Sequence, residues 1–97
     1  MKKQRFVVVT TDSSRRGVFG GELISYDQDK QYVVLKNAKM CIFWNEETKG
    51  VLGLANPGPQ KGCRLSPAVE KIEINGVTSV IDMSSEAIKQ WDKQLWN

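Results

Sequence analysis

Val18-Phe19-Gly20-Gly21-Glu22-Leu23-Ile24-Ser25-Tyr26-Asp27-Gln28-Asp29-Lys30-Gln31-Tyr32-Val33-Val34-Leu35, residues 18–35, decides the fold class. Phe19, Leu23 and Tyr26 place large apolar side chains along a strand, and the paired glycines inside it mark a sharp bend or bulge of the kind small barrels use. Asp27-Gln28-Asp29-Lys30 then supplies turn chemistry, and Tyr32-Val33-Val34-Leu35 is a β-branched return strand. A bent hairpin of this kind predicts a small antiparallel sheet.

Upstream, Arg5–Thr11 is short and β-branched and ends in the turn-rich Asp12-Ser13-Ser14-Arg15-Arg16-Gly17, so it reads as a first strand and a loop. Downstream, Asn37-Ala38 permits a tight turn into Met40-Cys41-Ile42-Phe43-Trp44, a fourth strand without apolar–polar alternation. Such a run implies burial on both faces, by a second subunit or by the terminal helix. Val69-Glu70-Lys71-Ile72-Glu73-Ile74 alternates cleanly, and Asn75-Gly76 before Val77–Asp82 is a strong hairpin signal. Ser84 or Ser85 can cap a last helix with Glu86 in its first turn, where Ile88, Trp91 and Leu95 form one stripe. The expected class is α+β, mostly β: a small bent antiparallel sheet or an Sm/SH3-like barrel with one C-terminal helix, in a single domain spanning residues 1–97.

The 97 residues hold 40% apolar and 26% charged side chains, which suits a folded chain with a small core. The longest apolar runs, Phe6–Val9 and Met40–Trp44, fall far short of a membrane span of ~20 residues, and Met1-Lys2-Lys3 leads into a strand without a signal-peptide core. A cytoplasmic protein with no membrane partner is expected. There is no histidine, which removes the commonest general base near neutral pH and the commonest metal ligand. Cys41 and Cys63 form no C-x-x-C pair and read as free thiols, so neither a zinc site nor a thioredoxin-type redox pair is expected, and no cofactor is expected either. Net charge is +3, with Lys2, Lys3, Arg5, Arg15 and Arg16 against Asp12 alone in residues 1–20, a bias compatible with a phosphate-bearing partner.

Between Asn45 and Arg64 the chain changes character: a polar turn, the short apolar piece Val51–Ala55, and a Pro/Gly loop from Asn56. Gly58-Pro59-Gln60-Lys61-Gly62-Cys63-Arg64 lacks the G-x-x-x-x-G-K-[ST] spacing of a P-loop. From Gln60 to Arg64 it still offers five unbroken N–H donors and two cations, as a ligand loop or as a structural Pro/Gly turn. Phe43 or Trp44, at a strand end, can offer a ring face to a base.

Two resemblances rest on quoted residues. Phe19-x-Gly21-x-Leu23-x-x-Tyr26-Asp27 with Val33-Val34-Leu35 resembles the first signature of Sm-like RNA-binding barrels, which implies single-stranded RNA contacts at Tyr26, Asp27 and Tyr32. That family's second signature has no match here. Over more of the chain, Arg16–Phe19, Cys41–Trp44, Thr48–Ala55 and Gly58–Arg64 resemble a phage-encoded family of small proteins sharing those four segments. In kind it is similar to the compact phage sponge proteins, Sequestin and Lockin among them, that hold host immune nucleotides away from their effectors.

That similarity implies a non-enzymatic anti-defence protein in the host cytoplasm. It would bind a cyclic nucleotide or ADP-ribose derivative in pockets of a homo-oligomer. Its ligand residues would be Arg16, Gln60, Lys61, Gly62 and Arg64 for phosphate or ribose and Phe43 or Trp44 for the base. The alternatives are the Sm-like RNA module and a structural or partner-binding phage protein.

Overall fold

The computed structural model describes residues 4–12, 17–44 and 46–93. The chain is α+β and dominated by β: β1 (Phe6–Thr11), β2 (Val18–Asp27), β3 (Tyr32–Phe43), a 3-10 turn (Glu46–Thr48), α1 (Gly50–Ala55), β4 (Arg64–Leu65), β5 (Val69–Asn75), β6 (Val77–Asp82) and α2 (Ser85–Lys93). The six strands form one antiparallel sheet in the order β4-β3-β2-β1-β6, with β5 also paired to β3. No helix among the described residues is long and apolar enough to cross a membrane.

The β2–β3 hairpin forms as its turn residues require. Asp27 Oδ1 accepts the Lys30 amide at 3.2 Å, and Gln31 occupies the left-handed region at φ 52°. The glycine pair marks an irregularity in the ladder, which steps from Gly20↔Lys39 to Glu22↔Lys36. A Cβ on Gly20 would sit 2.8 Å from the Trp91 ring, so the bare backbone there is what lets α2 lie against the bend.

Three sequence expectations change. Asn37-Ala38 is not a turn between strands: β3 runs unbroken through Met40–Phe43, and Asn37 (φ 51°) is absorbed inside it, because a short polar side chain tolerates the left-handed conformation. Asn75-Gly76 does not close a hairpin either. β5 pairs with β3 and β6 with β1, so the two consecutive strands lie on opposite margins of the sheet. The type I′ turn needs positive φ at both central residues, and here only Gly76 (φ 74°) has it. Gly76 is a corner, its carbonyl accepting the Asp12 amide while the Val77 amide donates to Gln31 O. Finally, Met40–Trp44 is not buried throughout, since Ile42 and Phe43 are about half exposed at 49% and 52%.

The run that is buried on both faces is β1. Val7 and Val9 pack with Val33, Leu35, Ala38, Ile74 and Val77 on one side of the sheet. Val8 packs with Cys41, Leu54, Ala55, Leu65, Ala87 and Trp91 on the other. That second layer is built by α1, absent from the sequence expectation, and by α2. Ser84 caps α2 through its hydroxyl on the Ala87 amide, Lys39 Nζ donates to Trp91 O at 2.8 Å near its C-terminus, and Trp91 Nε1 donates to Leu54 O at 2.8 Å. Leu95, expected on the same stripe, lies outside the described residues.

Candidate functional site

The segment from Glu46 to Leu65 caps one end of the sheet, and a single buried threonine holds it together. Thr48 is 1% exposed. Its Oγ1 accepts the Gln60 amide at 3.2 Å and shares a hydrogen bond with Cys63 Sγ at 3.1 Å. Gly53 lies so close to Thr48 that a Cβ would overlap the Thr48 carbonyl, and the Gly58 amide donates to Gly53 O at 2.8 Å. Gly58 itself needs to be glycine twice over, with φ at 108° and a Cβ position 2.8 Å from Ala87 of α2.

These bonds change the expectation for the Gly58–Arg64 loop. The amides of Gln60 and Cys63 are engaged by Thr48 Oγ1 and by Gln60 O, and Gln60 Nε2 bonds Gly58 O at 2.9 Å. Two of the five expected donors are therefore already engaged within the protein, and these bonds help set the loop's shape. What the brace presents outward is charge, since Lys61, Gly62 and Arg64 are exposed in and just after the turn.

Phe43 and Arg64 are cross-strand partners in the β3–β4 ladder, and both are exposed. The structure thus brings an open aromatic ring position beside a guanidinium, with Lys61 three residues before it. Gln60, half-buried, instead lines an open hollow of about 520 Å³ with Glu47, Thr48, Lys49, Leu52, Gly53, Asn56 and Pro57. Trp44 packs on the second core layer, which leaves Phe43 as the more open ring. Arg16 lies outside the described residues. Lys49 and Asn56 were missed in the sequence, where they read only as turn residues. The one local signal is Lys49-Gly50, which takes two successive positive φ values, 65° and 84°, to start α1.

Burial and then the neighbouring Cys63 push the Cys41 thiol up to about 12, outweighing the Phe43 carbonyl contact that acts the other way. A thiol held neutral in this way is a core group and a poor nucleophile. Cys63 is a free thiol too. Among the described residues no group of three or more His, Cys, Asp or Glu side chains is placed to hold a metal ion. Tyr26, Asp27 and Tyr32 lie at the opposite end of β3, where Asp27 serves the turn and a hydrogen bond to Glu73 raises the Tyr32 hydroxyl.

The chain belongs to the family described as a domain of unknown function, DUF6948, whose profile matches residues 4–91. Neither a curated protein nor a solved structure matches it.

Proposed function

We propose that the protein is a non-enzymatic binding protein for a small phosphate-bearing nucleotide, acting as a homo-oligomer that withholds a host immune signal from its effector. The supporting observation is the exposed Phe43–Arg64 pair at the β3–β4 end, with Lys61 in the turn leading into it. An aromatic face covers a base, and a guanidinium takes a phosphate through two parallel N–H···O bonds. The Thr48 brace contributes rigidity, so little ordering of the Gln60–Arg64 segment opposes binding. Sequestration fits the chemistry better than turnover. The chain has no histidine, and the Cys41 thiol is held protonated.

Mass spectrometry of material released by denaturing the protein purified from phage-infected cells tests the proposal. A cyclic nucleotide or ADP-ribose derivative, recovered chemically intact at about one per pocket, is the expected result. An RNA fragment would favour the Sm-like alternative at Tyr26, Asp27 and Tyr32, and empty protein would contradict nucleotide binding. Incubation with about a hundredfold excess of each nucleotide separates binder from enzyme, because an ordinary turnover of ~10 per second would convert that excess within minutes.

A further inference from the structure

Away from the β3–β4 end, one face of β2, β3 and β5 carries an arrangement that the proposed nucleotide site does not use. Lys36 and Lys71 stand directly opposite each other in the β3–β5 ladder. Like charges in cross-strand register repel, so this pair favours carboxylates around it, its own Glu22 and Glu73 among them. Beside it lies an open hollow of about 360 Å³ lined by Ile24, Val34, Lys36, Glu70 and Lys71. Ile24 falls at the irregularity between Leu23 and Ser25 and stands 53% exposed, while Val34, at 8%, is the buried part of that lining.

The signs of charge identify the occupant. Acids are interspersed with the two lysines: Glu22 is the β2 partner of Lys36, Glu73 lies 3.5 Å from Lys71, and Glu70 lines the hollow. A nucleic acid or an anionic surface asks for one sign of charge, whereas a patch mixing both signs around an apolar centre is complementary to itself after a two-fold rotation. We infer that this face docks a second copy of the chain, with Ile24 entering the second copy's hollow and Glu70 of the second copy seated at Lys36 and Lys71. The contact rests on the homo-oligomer part of the proposed function and gives it a surface separate from Met40–Trp44. Each contact occurs twice about the axis.

Light scattering on the full chain from roughly 1 to 100 μM tests it. The wild type is expected to dimerise, and Ile24→Lys, at a site already half open to solvent, should weaken the dimer at least ~tenfold, equivalent to about 1.4 kcal/mol, with circular dichroism unchanged. Glu70→Lys and Lys71→Glu should each do the same alone. An equimolar mixture of those two variants should regain the dimer, because one half of the contact then joins the two exchanged charges and the other half keeps the native Glu70–Lys71 pair. An oligomer indifferent to all three changes but dispersed by Phe43→Lys would overturn this surface and leave the oligomeric function standing. A wild type that stays monomeric across the range would overturn both.

Discussion

Two unbroken apolar runs, Phe6–Val9 and Met40–Trp44, look alike in sequence and end differently in the structure. Val7, Val8 and Val9 are fully buried, because the chain supplies a layer on each side of β1: the sheet interior on one and α1 with α2 on the other. In the second run Cys41 is buried, yet Ile42 and Phe43 stay half exposed. The absence of alternation correctly signals two faces that avoid water in β1. In β3 the chain itself covers only part of the run, which is why Phe43 stands open beside Arg64 where a ligand base is proposed to lie. A run like this reports that cover is needed without reporting where the cover comes from.

Val8→Asp is the harshest way to break the contrast. It places a carboxylate without a partner in a layer built of Leu54, Leu65, Ala87 and Trp91, and should cost more than ~4 kcal/mol, leaving no cooperative unfolding transition by circular dichroism. Gly20→Ala is milder. Its Cβ meets the Trp91 ring at 2.8 Å, and that ring is fixed by its bond to Leu54 O, so a loss of about 1–3 kcal/mol in urea unfolding is expected. If Gly20→Ala proved neutral, α2 would not be held against the bend as described.

How much of this was legible differs from element to element for physical reasons. The β2–β3 hairpin and the Ser84-capped helix depend on residues close in sequence, and both form as expected. Asn75-Gly76 misleads because its local turn preference is overridden by ladders to two distant strands, β3 and β1. Val51–Ala55 is too short to show a helical period, and its helix is fixed by tertiary contacts such as the Gly53–Thr48 approach. At the candidate site, the glycines and cations of Gly58–Arg64 were visible. The part played by Thr48 was not, since nothing near it in sequence announces that it will be buried against Gln60 and Cys63.

Alkali sharpens the comparison with a smaller effect. Cys41 keeps its proton to about pH 12 in the fold, against an ordinary thiol value of 9.0, so above that ordinary value the unfolded chain releases a proton that the folded one retains. Stability should therefore be complete below about pH 9 and decline as pH rises toward 12, and Cys41→Ala should flatten that decline in thermal melts across the window. Smallest of all is Ile42→Asp. At a residue 49% exposed it should change stability by no more than ~0.5 kcal/mol, in contrast to Val8→Asp. A large loss would mean that the chain itself covers Ile42.

The central claim, that the β3–β4 end holds a phosphate-bearing nucleotide, is tested most directly by titration calorimetry. A panel of cyclic dinucleotides and cyclic ADP-ribose isomers is titrated into wild type, Arg64→Ala, Lys61→Ala and Phe43→Ala. Each charge-assisted hydrogen bond to phosphate contributes roughly 1.5–3 kcal/mol, so the Arg64 and Lys61 variants should bind about ten- to a hundredfold more weakly while still giving the wild-type circular dichroism spectrum. Phe43→Ala should also weaken binding, through lost stacking of ~1–3 kcal/mol. Unchanged affinity in all three folded variants would place the ligand elsewhere and contradict the claim.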